Sequence, residues 1–219
     1  MASAPGEQFE PRQTTMSDDY TPDPLLSLPL DAERQAVVDD IIDLYSCDPT
    51  VEKVKRYTPD CVYDDQFVYA NDRYKVAGYW FALPKLFKES KNVESQIIAS
   101  GKDFIQFKNM QTRTFRLIPK KITTTSLVTL SLDPSTVNSD FIQVKYHKDQ
   151  SNAEDFSHEG VVFKFKQWQA DHISDWLSRE TLPEMKEFEA DRTAAKEDVH
   201  KHGSGKYAPT KDVKSASTL

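Results

Sequence analysis

Apolar residues at helical spacing open the first regular part of the chain. From Asp31 to Tyr45, apolar side chains recur every three or four residues, a period typical of an amphipathic helix. They are Ala36, Val37, Val38, Ile41, Ile42, Leu44 and Tyr45. Asp31 is a residue type that caps helix N-termini. We therefore predict a helix from Asp31 to about Cys47.

Two more helices are predicted further along. Asp48-Pro49 indicates the start of a second short helix, because proline fits the first helical position. Its apolar side carries Val51, Val54 and Tyr57. A third helix is predicted over residues 78–90, with Phe81, Leu83, Leu86 and Phe87 as apolar positions. Pro84 either kinks this helix or lies in its first turn.

Stretches rich in β-branched and aromatic residues predict strands. They are residues 61–69, 93–100, 104–110, 112–118, 122–132 and 141–147. In 122–132, Thr and Ser alternate with larger apolar residues, which is typical of an antiparallel strand with one solvated face. Residues 161–177 fit both a helix and a strand, and we favour a strand for part of them.

The two ends of the chain differ from its middle. Residues 1–30 hold five prolines and few aliphatic residues before Leu25, so we predict a disordered arm, although its last leucines could lie in a hydrophobic groove. Residues 31–182 form the predicted domain. Residues 183–219 are predicted to be a charged peripheral helix, with Met185 and Phe188 as its bulky apolar anchors, followed by a disordered tail.

Composition narrows the class of protein. The 219 residues suit one ordinary domain with tails. The net charge of −7, from 28 basic and 35 acidic residues, argues against a nucleic-acid partner, because phosphates require a basic surface. No apolar run approaches the ~20 residues of a membrane span, and the first residues lack the pattern of a secretory signal. We expect a soluble cytoplasmic protein without a membrane partner, and a nuclear location is also compatible with this composition.

Several kinds of cofactor and catalytic site are not indicated. Only six glycines are present, and none forms a phosphate-binding loop. The nucleophile elbow and the His-Glu-x-x-His zinc motif are missing as well. Two cysteines, Cys47 and Cys61, are too few for a disulfide scaffold, and we expect them to be buried. We therefore expect neither a cofactor nor a metal.

The order of predicted elements resembles the NTF2-like superfamily, an α+β cone in which N-terminal helices pack on a curved antiparallel sheet. Residues 44–48 and 57–65 resemble its local pattern of a helix end, a short helix and aromatic-x-x-Asp-x-x-x-x-Asp-Pro. Gln66 stands where many relatives have proline. The resemblance covers about residues 31–180. Residues 146–149 with 155–160 resemble a segment of fungal members of this superfamily.

Asp65 is the first catalytic candidate. In the SnoaL and ketosteroid-isomerase-like branch, the aspartate before that proline is a general base at the mouth of the cone, and the resemblance implies this role for Asp65. The branch also uses a tyrosine in the first helix and a second acid late in the sheet. The matching places here, near Asp40 and Val161, do not fit. Alternatively, Asp65 caps a turn or pairs with an arginine.

A second candidate group is His147 and His158, each with a nearby carboxylate, Asp149 or Glu159. A histidine oriented by a carboxylate is a general base, and the set could also bind a divalent metal. The spacing matches no known ligand signature. The alternative is a solvated loop in which Ser157 caps a helix.

Aromatic residues are the third candidate group. They could line the cone and hold an apolar small molecule, although core packing is the commoner use. The predicted ligand-binding residues are Tyr63, Phe67, Tyr79, Trp80 and Phe104. Trp168 and Trp176 could instead lie in a homodimer interface.

Three functions follow from these patterns. The first is binding of a small, mostly apolar molecule. The second is an isomerase or dehydratase that transfers a proton through Asp65 or through His147 and His158. The third is a dimeric interaction module that uses an open sheet face.

Overall fold

A computed structural model describes residues 20–117, 120–151, 164–165, 167–172 and 182–193. Predictions about residues 1–19, about His158 and Trp176, and about the tail 203–219 fall outside these residues. None of the described helices is long and apolar enough to cross a membrane.

The described structure includes three helices and six strands whose bounds are defined. They are α1 (Ala32–Tyr45), α2 (Val51–Val54), β1 (Tyr57–Asp64), β2 (Tyr69–Ala70), α3 (Arg73–Leu86), β3 (Phe87–Ser100), β4 (Phe104–Phe115), β5 (Lys121–Leu132) and β6 (Val144–Ser151). Short 3-10 helices span Pro24–Leu26 and Pro183–Phe188. The fold is therefore α+β, as predicted, and its element order agrees with the resemblance.

The six strands form one sheet in the order β2-β1-β6-β5-β4-β3. Neighbouring strands are antiparallel except β1 and β6, which run parallel. The sheet is therefore mixed and not wholly antiparallel. This pairing places the last strand between the first strand and the long β3–β5 meander. Residues far apart in sequence thereby become neighbours at β1 and β6.

Helix boundaries follow side-chain caps. Asp31 caps α1 through the Arg34 N–H, as predicted. Thr50, and not the Asp48-Pro49 pair, caps α2. Asp72 caps α3, which therefore begins at Arg73 and not at residue 78. It ends at Leu86 because Phe87 pairs with β4, so Pro84 lies in its last turn.

Strand boundaries also differ from the predictions. Residues 104–110 and 112–118 belong largely to one strand, β4, because its pairing with β5 continues unbroken through Gln111. The stretch 61–69 is divided by a turn between Asp64 and Tyr69. The final strand begins at Val144.

Segments at both ends of the domain contact it. Residues 20–30 run along β3, where the Leu28 N–H donates to the Ile97 carbonyl and the Ile97 N–H donates to Ser27 Oγ. These hydrogen bonds hold the segment against β3, while the side chain of Leu25 stays 94% exposed. Near the other end, Met185 and Phe188 are buried in the main core. These two residues, predicted as the apolar anchors of a peripheral helix, thus hold residues 183–188 against the domain.

The region predicted partly as strand is helical where it is described. Residues 164–165 and 167–172 are helix, so the strand prediction is wrong for them. Trp168 lies in this helix, half exposed, with its ring 5.6 Å from that of Phe165. It does not belong to a sheet face.

Helices α1 and α3 cover one face of the sheet, which we call the inner face. Their buried side chains, such as Ile41 and Trp80, form one core with Phe107 and Val128 of the sheet. Since side chains alternate between faces along a strand, every second residue of β4, β5 and β6 points to this core.

Candidate functional site

The side chains of the inner face are apolar along one part of its strands and polar along the rest. Its apolar half consists of Ile105 and Phe107 on β4 and Val128 and Leu130 on β5, all 0% exposed. Its polar half continues the same alternation. It consists of Asn109, Gln111 and Arg113 on β4 and Ser126 on β5, and we count with it Asp149 on β6, which pairs with Val128 at the border of the two halves. Polar side chains therefore occupy core positions at one end of the sheet.

A buried hydrogen-bond chain runs from β1 through β6 and α1. The Tyr57 hydroxyl lies 2.7 Å from Nδ1 of His147, and Nε2 of the same ring lies 2.9 Å from the Tyr45 hydroxyl. The Tyr45 hydroxyl donates to Oδ2 of Asp149 at 2.6 Å. Asp149 is 7% exposed and His147 is 0% exposed. Four side chains from three elements thus share one line of hydrogen bonds.

The direction of this chain depends on the charge of Asp149. A tyrosine hydroxyl has one proton, so when Tyr45 donates to an ionised Asp149, it can only accept from His147. The proton of a neutral His147 is then on Nε2, and Nδ1 accepts from Tyr57. When Asp149 is protonated and donates to Tyr45, every hydrogen bond reverses and the histidine proton moves to Nδ1.

Burial sets the protonation states of this chain. It lowers the pKa of His147 from 6.5 to about 3, so the imidazole is neutral near pH 7. Burial raises the pKa of Asp149 from 3.8 to about 6. The Tyr45 hydrogen bond lowers that pKa in part, the Asp65 charge raises it, and Arg113 lowers it. Asp149 therefore titrates close to neutral pH.

Asp65 lies in the turn between β1 and β2. Its Oδ1 accepts the backbone N–H groups of Phe67 and Val68, each at 2.6 Å. Its Oδ2 accepts the hydroxyls of Tyr63 at 3.0 Å and Tyr79 at 2.9 Å. Such a set of donors stabilises a carboxylate in its ionised form. This geometry matches the turn-capping alternative and makes Asp65 a fixed negative charge beside the chain.

Three of the five predicted ligand-binding aromatics lie together. The rings of Tyr63, Tyr79 and Trp80 are 4.9 to 5.3 Å apart, and the Tyr63 ring is 4.8 Å from that of His147. Phe67 and Phe104 are not part of this cluster: they are 58% and 37% exposed. The structure thus joins Asp65 and His147 through Tyr63.

The prediction missed Tyr45 and Tyr57 as site residues and considered Asp149 only as a partner of His147. The resemblance implies a helix tyrosine and a late acid, and it placed them near Asp40 and Val161. The structure brings Tyr45 and Asp149 together instead. Two signals were available: Tyr45 ends the predicted helix, and residues 147 and 149 share one face of a strand.

Four buried polar atoms of the polar half have no hydrogen-bond partner within the described structure. They are Nδ2 of Asn109, Oε1 of Gln111, Nε of Arg113 and Oδ1 of Asp149. Ser126 lies close enough to Asp149 to lower its pKa slightly, without completing a hydrogen bond to Oδ1. Buried groups of this kind are rare in proteins, and each calls for a partner such as an ordered water, an ion or a bound molecule. Over the same residues, no group of His, Cys, Asp and Glu could hold a metal ion.

No family model matches the chain, and no curated protein matches it. Among solved structures, the chain is similar to an NTF2-like protein from Anabaena variabilis, with 7% identity, a TM-score of 0.47 and coverage of 57% of this chain and 93% of that one. It is similar to an NTF2-like protein of unknown function from Burkholderia pseudomallei, with 14% identity, a TM-score of 0.43 and coverage of 55% and 90%.

A third similar structure is a hypothetical protein with a ketosteroid isomerase-like fold from Catenulispora acidiphila, in complex with trimethylamine. Its identity is 10%, its TM-score is 0.41, and the match covers 52% of this chain and 82% of that one. Closeness to fungal members stays a prediction.

Proposed function

We propose that this chain is an NTF2-like enzyme that transfers a proton on a small carbonyl compound bound at the inner face. The observation that carries this proposal is Asp149, a buried carboxylate whose pKa is about 6 and whose Oδ1 has no hydrogen-bond partner. Perturbed carboxylates of this kind cluster at sites of acid–base chemistry. Simple binding without catalysis is the competing function.

The proposed step is a proton abstraction. Ionised Asp149 accepts, at Oδ1, a proton from a carbon next to the carbonyl group, and the C–H electron pair moves toward the carbonyl oxygen to form an enolate. Protonated Asp149 then returns the proton to the same or a conjugated carbon. The cycle needs no oxidant or reductant, and it yields isomerisation or exchange with solvent protons.

Tyr45 and His147 act as positioning residues in this step. The Tyr45 hydroxyl holds Oδ2 of Asp149 and leaves Oδ1 for the substrate. His147 is neutral and enclosed by Tyr45 and Tyr57, so it orients Tyr45 and is a poor proton acceptor near pH 7. Burial raises the pKa of Asp149, and the charge of Asp65 adds to that rise.

Deuterium exchange tests this function. We would incubate the protein in D2O with 2-oxo-4-phenylbutanoate and with 4-phenyl-2-butanone, and measure loss of the signals of protons next to the carbonyl by ¹H NMR. Exchange faster than the buffer rate is expected for at least one probe. Asp149→Asn should slow it by about 100-fold, since a general base contributes on the order of 10²–10⁴. The rate should rise with pH through about 6.

Asp103→Asn is the matched control, because it makes the same chemical change at an exposed turn residue. It should exchange at the wild-type rate. Equal rates in the wild type and Asp149→Asn, or no exchange above buffer with either probe, would contradict catalysis. Binding of a probe without exchange would then support the competing function.

A further inference from the structure

Arg113 is the described arginine without an anionic or carbonyl partner. Within the described residues, its one hydrogen bond goes from Nη1 to Thr124 Oγ1 at 3.4 Å, and its Nε is buried and unpartnered. The other described arginines contact carboxylates or backbone carbonyls: Arg34, Arg56, Arg73, Arg116 and Arg192. A half-buried cation without a counterion is costly unless something else supplies the negative charge.

The position of Arg113 points to a ligand. It lies on the inner face, two positions beyond Gln111 on β4. Its guanidinium carbon is 5.9 Å from the centre of the Tyr45 ring and 5.7 Å from that of Phe87. Burial raises the pKa values of Asp149 and Tyr79, and the charge of Arg113 offsets part of that rise. The cation is therefore held beside the proposed reaction site by two aromatic rings.

We propose that Arg113 binds the carboxylate of a small organic acid whose carbonyl end lies against Asp149. This proposal rests on the proposed function, and it changes the expected ligand from an apolar molecule to an anion. A guanidinium donates two parallel N–H bonds to a carboxylate, and Nε with one Nη forms such a pair. Nε is unpartnered in the structure, so this donor is available. The nearby Oε1 of Gln111 adds an acceptor for a ligand hydroxyl.

The local polarity favours an anion at this end of the face. Asn109 presents a second unpartnered donor, Nδ2, on the same side of β4. The carboxylates Asp65 and Asp149 accept hydrogen bonds from the hydroxyls of Tyr63 and Tyr45. An acid would thus place its negative group on donors and its reacting carbon near the carboxylate that takes the proton.

Binding of the two matched probes tests the proposal. The acid 2-oxo-4-phenylbutanoate and the ketone 4-phenyl-2-butanone share a scaffold, and only the first carries a carboxylate. By NMR or calorimetric titration, the wild type should bind the acid at least tenfold more tightly than the ketone. Arg113→Gln should weaken acid binding at least tenfold and leave ketone binding unchanged. The acid affinity of Arg113→Lys should lie between those of the wild type and Arg113→Gln, since lysine keeps the positive charge and lacks the two parallel N–H donors of a guanidinium.

Lys108→Gln is the control variant, because it removes a positive charge from the same strand on the opposite face. It should bind the acid as the wild type does. The ¹⁵Nε resonance of Arg113 in the wild type should shift with the acid and not with the ketone, which tests the contact without any substitution. Equal acid affinity in the wild type and Arg113→Gln, or an unmoved Nε resonance under saturation, would overturn the proposal.

The Asp149→Asn variant separates this proposal from the proposed function. It should still bind the acid, at least as tightly as the wild type, because it removes a nearby negative charge. Loss of exchange with retained acid binding supports both proposals. Retained Arg113-dependent binding without any exchange in the wild type would support the anion site and reject catalysis.

Discussion

The two halves of the inner face both hold fully buried side chains and differ in chemistry. Phe107 and Val128 in the apolar half are 0% exposed, and Asn109 and Gln111 in the polar half are 1% exposed. The first pair is surrounded by the core, whereas each of the second has an unpartnered polar atom. Burial of unpartnered polar atoms lowers stability, so packing alone does not account for the polar half, and we expect it to serve the proposed site.

The largest effect on the free energy of unfolding is expected from truncating a side chain of the apolar half. Phe107→Ala removes a fully buried ring and leaves a cavity, so the free energy of unfolding should fall by about 3–5 kcal/mol. Asn109→Ala should lower it by only about 1 kcal/mol, since the amide loses one hydrogen bond, the one that its Oδ1 accepts from Asn92, and its Nδ2 has no partner. Urea unfolding of the two variants measures the difference. Equal losses would mean that both halves serve packing.

Asp149→Asn should stabilise the protein while it removes activity. Burial holds the pKa of Asp149 at about 6, so its ionised form is unfavourable in the folded state near pH 7.5. Removing the charge should raise the free energy of unfolding by about 1–3 kcal/mol. Asp103→Asn should leave it unchanged. A destabilised Asp149→Asn variant at pH 7.5 would show that the carboxylate serves the fold.

The pH dependence of stability separates Asp149 from His147. Between pH 4 and 6, the folded chain holds a proton on Asp149 that the unfolded chain lacks, while the unfolded chain holds one on His147 that the folded chain lacks. The two effects cancel. In Asp149→Asn, only the contribution of His147 to the pH dependence remains. The free energy of unfolding should therefore rise by up to about 1.4 kcal/mol per pH unit relative to the wild type.

His147→Gln should show the opposite slope over the same range. Only the raised pKa of Asp149 then remains, and stability present at low pH is lost as pH rises through about 6. Chemical denaturation at pH 4, 5 and 6 measures both slopes. Parallel slopes in the two variants would contradict the assigned protonation states.

The smallest effect is expected at the far end of the hydrogen-bond chain. Tyr57→Phe removes the hydroxyl at Nδ1 of His147 and should cost about 1 kcal/mol. In the wild type, ¹⁵N NMR should show the His147 proton on Nε2 above pH 6 and on Nδ1 below it. An unchanged tautomer across that range would mean that Asp149 does not control the chain.

Local chemistry explains which predictions of the fold were correct. Asp31 caps α1 through a contact three residues away, so the sequence shows it directly. The start of α3 was predicted too late, at residue 78. Gly78 and Pro84 weaken the helical signal of the sequence there, and the helix begins further upstream, where Asp72 caps it. The helical form of residues 167–172 was missed because Phe163 and Phe165 also alternate as in a strand.

The candidate site was harder to predict than the helices, because it depends on contacts between residues that are far apart in the sequence. Asp65 stood out in the sequence, and its four donors come from its own turn and from Tyr63 and Tyr79. Tyr45 lies 104 residues from Asp149, and nothing local links them. The sequence did not indicate Arg113 as a site residue, because the absence of a counterion can be recognised only from the positions of its neighbours in the folded chain.

The sequence by itself determined the α+β class, the first helix and the alternation that puts His147 and Asp149 on one strand face, because these depend on neighbours a few residues apart. The tertiary structure decided the mixed sheet, the Tyr57-His147-Tyr45-Asp149 chain and the unpaired state of Arg113. Those features depend on which distant segments meet and on how much water they exclude, since hydrogen-bond partners and the pKa of a carboxyl are properties of the folded surroundings.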